Sequence, residues 1–133
     1  MKSLIVVLAL FSTCNALFKF NVPAGFITSW ERTIEPFRAE CLAKSGLDRK
    51  VLYDALLTMQ FPESPKFKCF AECTWTHLGY YDLITKQINA EKIGQEVKGF
   101  TKEIAEKCYN EHKADGNSCE IVFSIIKCGI EKM

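Results

Sequence analysis

The sequence has no excess of charge of either sign, because 17 lysine and arginine residues face 16 aspartate and glutamate residues. Nucleic acids and anionic membranes bind clustered basic residues, so this balance argues against both as partners. Histidine is also scarce, with two residues in 133. Neither histidine stands in a pattern that resembles a catalytic triad, so we expect a protein that is not an enzyme and uses no cofactor.

Long apolar runs are missing as well. The run from Leu4 to Phe11 is far shorter than the roughly 20 residues that a membrane-spanning helix needs. It follows Lys2 and precedes small residues that end at Ala16, which is typical of a secretory signal peptide. We therefore expect a signal peptide over residues 1–16, one domain over 17–133, secretion to the extracellular space and no stable membrane insertion.

Cysteine, by contrast, is frequent, and cleavage after Ala16 would change its count from seven to six. In a secreted chain an even set of cysteines indicates disulfides rather than metal ligands or nucleophiles. Cys69 and Cys73 would share one helix face, and Cys119 and Cys128 would lie on opposite faces, so neither pair can bridge itself. Of the 15 pairings that six cysteines allow, ten remain open on these grounds; the six are Cys41, Cys69, Cys73, Cys108, Cys119 and Cys128.

Start and stop signals divide residues 17–133 into about six helices, and no convincing alternating strand pattern is present. The first helix is predicted over Thr28 to Ser45, with Pro36 bending or restarting it. The second carries an apolar stripe that ends before Pro62. The last helix is apolar on most of its circumference, so we expect it at the centre of the bundle. Predicted caps open the second to sixth helices, namely Asp48, Ser64, Asn89, Thr101 and Asn117.

The cysteine order has three residues between the second and third cysteines and eight between the fifth and sixth. In this it resembles the six-cysteine type of the insect odorant-binding and pheromone-binding protein family. The resemblance implies an all-α fold of about six helices in a compact disulfide-linked bundle that encloses a hydrophobic cavity. It also implies three bridges, Cys41 with Cys73, Cys69 with Cys119, and Cys108 with Cys128.

The function implied by the resemblance is that of a secreted carrier. Such a protein binds a small hydrophobic ligand, which would be an odorant, a pheromone or a related lipid, and transports it through aqueous fluid. A chemosensory receptor and a second copy of the chain, in a homodimer, are the further partners that we consider. The alternative is the same scaffold acting as a scavenger or interaction protein in saliva, venom or reproductive fluid.

Two other kinds of site are less favoured. Cys73 and His77 share a helix face and could suggest a metal site, but a disulfide sulfur does not bind zinc as a thiolate does. A secreted phospholipase would carry an aspartate after its catalytic histidine, whereas Leu78 follows His77 and no glycine-rich acidic loop precedes it. We therefore expect no metal site and no catalytic residue.

Helix phase gives a set of predicted ligand-binding residues, of which Thr76, His77 and Tyr80 are the hydrogen-bonding candidates. Only five residues follow Cys128, so we do not expect a C-terminal tail that plugs the cavity. A pH-linked release would then depend on His77, His112 or carboxylate pairs. The predicted lining residues are Leu52, Leu56, Met59, Phe70, Thr76, His77, Tyr80, Ile93, Val97, Val122, Phe123 and Ile126.

Overall fold

The structure is a computed structural model that describes residues 18–19 and 21–133. The signal peptide predicted over residues 1–16 lies outside these residues. Six helices account for most of the described chain, so the all-α prediction is confirmed. In chain order the elements are β1 (Phe18–Lys19), α1 (Ala24–Ser45), α2 (Arg49–Thr58), β2 (Gln60–Phe61), α3 (Pro65–His77), α4 (Ala90–Glu96), α5 (Lys102–His112) and α6 (Ser118–Glu131).

The predicted caps open helices α2 to α6. Each cap side chain accepts a hydrogen bond from a backbone N–H in the first turn of its helix, which satisfies a donor that the helix itself leaves unpaired. These caps are Asp48, Ser64, Asn89, Thr101 and Asn117. Pro65 occupies the first turn after Ser64, where its missing N–H costs nothing.

Helix α1 differs from its prediction at two points. It begins at Ala24 rather than Thr28, directly after Pro23, and it continues through Pro36 instead of restarting there. A proline inside a helix removes one backbone hydrogen bond, but Cys41 holds the same helix against α3 through a disulfide. The helix ends at Ser45 as predicted, and Gly46 follows it with a φ of 73° that suits glycine.

The three disulfides are the ones that the family resemblance implies. Cys41–Cys73 joins α1 to α3, Cys69–Cys119 joins α3 to α6, and Cys108–Cys128 joins α5 to α6, with Cα–Cα distances of 5.6, 4.6 and 5.7 Å. Helix α3 packs against α1 and α6, and α6 packs against α3 and α5. As predicted, α6 is buried on most of its circumference, through Ile121, Val122, Phe123, Ile125, Cys128, Gly129 and Ile130.

Three details of the chain around α2 were not predicted. The two-residue strands β1 and β2 pair antiparallel, Phe18 opposite Phe61 and Lys19 opposite Gln60, and are too short to show alternation in the sequence. Helix α2 ends at Thr58, before Pro62, because Met59 takes a left-handed conformation with φ 53°. In the apolar stripe of α2, Val51 is 39% exposed and so does not belong to the core.

Candidate ligand-binding cavity

A cavity of about 110 Å³ lies between α1, α3 and α6. Helix α2, strand β2 and the segments around Tyr80 and Phe100 complete its walls. Its size is below the roughly 300–1,000 Å³ that is usual for ligand pockets, so it suits a small ligand. The lining residues are Trp30, Thr33, Ile34, Leu52, Leu56, Phe61, Phe67, Phe70, Ala71, Thr74, Trp75, Leu78, Tyr80, Val97, Phe100, Phe123, Ile126 and Ile130.

The longest wall of the cavity is one face of α3. Phe67, Phe70, Thr74 and Leu78 recur at steps of three and four residues, which is the spacing of one helix face. The disulfides leave α3 at Cys69 and Cys73 and tie it to α6 and α1, the helices that form the facing walls. The cross-links therefore fix the separation of the surfaces between which the cavity lies.

Aromatic rings give two parts of the wall their shape. Trp75 packs edge to face against Tyr80 and Phe100, with ring centroids 5.5 and 6.3 Å apart. Phe67 packs in the same way against Phe123, at 5.9 Å. Such pairs stabilise their arrangement by about 0.5–1.5 kcal/mol beyond area burial. The wall is therefore built from packed rings that line an open space.

Among the described residues, no aspartate, glutamate, histidine, lysine or arginine lines the cavity. The hydroxyls of Thr33 and Thr74 donate to carbonyls of their own helices, those of Ser29 and Ala71, each at 2.9 Å. The indole N–H of Trp30 donates to the carbonyl of Lys98, also at 2.9 Å. The walls are therefore almost wholly apolar toward a ligand.

Tyr80 is 1% exposed, and its hydroxyl donates to Oε1 of Glu96 at 3.1 Å. Burial, followed by the bond to Glu96 and its charge, raises the pKa of Tyr80 above its ordinary value of 10.0. The phenol is therefore neutral over the physiological range. Its proton is already engaged by Glu96, so it is not free to donate to a ligand.

The structure brings seven of the twelve predicted lining residues together at the cavity, and whether they contact a ligand stays a prediction. The seven are Leu52, Leu56, Phe70, Tyr80, Val97, Phe123 and Ile126. The other five lie outside the lining. Among these, Met59, Ile93 and Val122 are buried, at 3%, 0% and 0% exposure, in other parts of the core.

The remaining two predicted residues, Thr76 and His77, lie away from the cavity lining and have partners elsewhere. The hydroxyl of Thr76 donates to Oε1 of Glu72 at 3.2 Å. His77 is paired with Glu40 and stacks on the ring of Phe37, with centroids 5.0 Å apart. Both side chains are thus committed to contacts with their own helix or with α1.

Eleven lining residues are missing from the predicted set. Those of α1 had a visible signal, because Trp30, Thr33 and Ile34 recur at three- and four-residue steps. That stripe indicates a buried face without telling a cavity wall from a solid core. The others are Phe61, Phe67, Ala71, Thr74, Trp75, Leu78, Phe100 and Ile130.

Within the part of the chain that the structure describes, two clusters have the spacing of metal ligands, Cys41, Cys73 and His77 in one, and Glu111, His112 and Cys128 in the other. All three cysteines are in disulfides. Their sulfur atoms are therefore not thiolates and cannot bind a metal as thiolates do. Each cluster keeps too few ligands for a metal centre, so neither is assigned as one.

A protein-family model described as the PBP/GOBP family matches residues 28–132 of the chain. The match covers well over half of the 133 residues. The chain belongs to this family. PBP/GOBP proteins are the insect pheromone-binding and general odorant-binding proteins, and the three disulfides fit their six-cysteine type. Searches of curated proteins and of solved structures found no significant match.

Membership of the PBP/GOBP family confirms the resemblance found in the cysteine order. The family consists of binding proteins rather than enzymes. Within the described part of the chain, no helix combines the length and apolarity needed to cross a membrane.

Proposed function

We propose that this PBP/GOBP protein is a secreted carrier that encloses a small, neutral, hydrophobic molecule in its cavity and takes it through an aqueous fluid. The single observation that carries the proposal is the cavity between α1, α3 and α6, where none of the lining residues that the structure describes is charged. Family membership and the disulfide frame, which is typical of secreted proteins, support the same conclusion.

Affinity would come mainly from moving apolar surface of the ligand out of water, at about 25 cal/mol per Å². A disulfide-tied frame favours binding because the walls are held in place before the ligand arrives, which lowers the cost of ordering them. An ionised ligand would lose its hydration without gaining an opposite charge from the lining, at a high cost in free energy. The proposed cargo is therefore an uncharged odorant-like molecule or a related lipid.

The test uses displacement of the fluorescent probe N-phenylnaphthylamine on oxidised, full-length mature protein. Ala71 lines the cavity, so Ala71→Phe would place a ring in the space that the ligand needs. Ala43 is exposed on α1 and serves as a matched control, since Ala43→Phe adds the same ring at the surface. We expect Ala71→Phe to lose probe binding and Ala43→Phe to keep it. Equal binding by both variants would contradict the proposal.

A further inference from the structure

Trp75 has an indole N–H that no acceptor satisfies within residues 21–133. The chain has two tryptophans, and both line the cavity. Trp30 donates to the carbonyl of Lys98, whereas the side chain of Trp75 has ring contacts, with Tyr80 and Phe100, and no hydrogen bond among the described residues. A buried tryptophan usually finds a partner for its N–H. The indole N–H of Trp75 is therefore a hydrogen-bond donor that the described part of the protein leaves unused.

The surroundings of this indole indicate where its partner would come from. Trp75 is 7% exposed, so most of it is enclosed by protein. Among the described residues, every side-chain nitrogen or oxygen atom that is fully buried has a hydrogen-bond partner. The indole nitrogen of Trp75 has no partner, so it is not fully buried and keeps some accessible surface. Because Trp75 is part of the cavity wall, the open space next to it includes the space that a ligand would fill.

The other polar groups of the wall are already donating. The protons of Thr33, Thr74, Tyr80 and Trp30 are engaged by protein oxygens at 2.9 to 3.1 Å. In the described structure Trp75 is thus the lining side chain whose donor stays available. A donor of this kind binds the oxygen of a carbonyl, ester or ether.

We infer that Trp75 is the specificity-determining residue of the cavity and that its indole N–H binds the oxygen of a neutral carbonyl or ester ligand. The inference rests on the proposed carrier function and adds the chemical class of the cargo. Ionised carboxylic acids are disfavoured because no lysine, arginine or histidine in the described part of the chain lines the cavity to balance their charge. Pure hydrocarbons bind, but without the orienting hydrogen bond.

The first experiment compares nonane, methyl hexanoate and heptanoic acid, which have the same number of non-hydrogen atoms, as competitors of N-phenylnaphthylamine. Trp75→Phe should weaken methyl hexanoate about fivefold relative to nonane, since a hydrogen bond contributes about 0.5–1.5 kcal/mol. Trp30→Phe is the matched control, because its N–H is already used by Lys98. Trp30→Phe should change the affinities for the ester and for the hydrocarbon by the same factor. Heptanoic acid should bind most weakly at neutral pH.

A second measurement does not depend on a folded Trp75 variant. The unsubstituted protein has two indole N–H signals in its NMR spectrum, one for each tryptophan, and Trp30→Phe assigns them. Methyl hexanoate should shift the Trp75 signal downfield while nonane leaves it near its free position. An unmoved Trp75 signal with bound ester, or an unchanged ester-to-hydrocarbon ratio in Trp75→Phe, would overturn the inference and leave the carrier function standing. Failure of all three compounds and of the probe to bind would instead contradict the carrier function itself.

Discussion

Tyr80 and Glu96 form a hydrogen bond, 3.1 Å from hydroxyl to carboxylate, between the segment after α3 and the end of α4. Tyr80 also packs against Trp75, at 5.5 Å between ring centroids, and lines the cavity. Asn89, the cap of α4, donates its backbone N–H to the carbonyl of Tyr80 at 2.9 Å. The position of Tyr80 therefore ties one wall of the cavity to α4 by both side-chain and backbone bonds.

Replacing Tyr80 by phenylalanine should lower the free energy of unfolding at neutral pH by about 1 kcal/mol, the usual net value of a hydrogen bond. The pKa of Tyr80 is raised by burial and by Glu96, so the native state keeps its proton where the unfolded state has lost it. The stabilisation is therefore complete below the ordinary pKa and declines as the pH rises above it. Urea titrations at rising alkaline pH should show that the difference in free energy of unfolding between the unsubstituted protein and Tyr80→Phe becomes smaller. A gap of constant size would contradict this account.

The disulfides should differ in what they do for binding. Cys69–Cys119 joins α3 and α6, which both line the cavity, whereas Cys108–Cys128 anchors α5, which contributes no lining residue. From their sequence separations of 50 and 20 residues, loss of the first bridge should cost about 4 kcal/mol and loss of the second about 3 kcal/mol. Paired cysteine-to-alanine variants allow the comparison.

Probe affinity distinguishes the two bridges more sharply than stability does. Removing Cys69–Cys119 should weaken N-phenylnaphthylamine binding, because the facing walls are then free to separate. Removing Cys108–Cys128 should leave the affinity of the folded protein unchanged. Affinity is measured well below the unfolding temperature of each variant. Equal losses in both would show that the bridges act on overall stability and not on the walls.

The helix starts could be predicted because capping is local. Asp48 and Thr101 accept hydrogen bonds from backbone groups two and three residues away, so the sequence contains both partners of each bond. The start of α1 lacked such a signal, since Pro23 makes no side-chain cap. Disulfide pairing is long-range, and the cysteine spacing alone left ten choices open. The family resemblance was needed to select the pairing that the structure shows.

The cavity lining could be predicted only in part, because helix phase gives a buried face but not the neighbour that covers it. Ile93 is fully buried, yet its helix α4 packs against α5, so it reaches the core without reaching the cavity. The sequence predicts His77 and Thr76 as hydrogen-bond donors to the ligand. In the structure their partners are Glu40 and Glu72 instead. The pairing of His77 with Glu40 is a tertiary contact that no local pattern contains, whereas Glu72 lies four residues before Thr76 on the same helix, a spacing that the sequence does contain.

The ion pairs of Glu63 should make the folded protein slightly less stable in acid than at neutral pH. Burial alone would raise the pKa of Glu63, but hydrogen bonds from Lys127 and Lys68, at 2.9 and 3.1 Å, and their charges outweigh it and lower that pKa. A lowered pKa gives stability that is present above the ordinary value of 4.5 and is lost as the pH falls below it. The effect should not exceed about 1 kcal/mol, because the Glu63 side chain is 39% exposed.

Glu63→Gln should therefore be slightly less stable than the unsubstituted protein at neutral pH and equal to it in acid. Denaturant titrations across the acidic range measure this difference in free energy of unfolding. Glu106→Gln is the matched control, since Glu106 meets Lys102 at 3.9 Å in an exposed pair on one helix. That variant should show no such gap. A Glu63→Gln gap that persists in acid would contradict the proposed cause.

Gly129 is a position where one methyl group should reshape the cavity. A Cβ at Gly129 would overlap the ring of Phe100, which lines the cavity beside Trp75. In Gly129→Ala the ring of Phe100 has to move. We expect it to move into the cavity, because the open space there can accommodate it without displacing other side chains. Overpacking of this kind costs about 1–3 kcal/mol, and the displaced ring should weaken probe binding. Gly25→Ala is the control, because no atom of the described residues lies within 4 Å of a Cβ added there, and it should keep full affinity. Full probe affinity in Gly129→Ala would show that the ring moves away from the cavity instead.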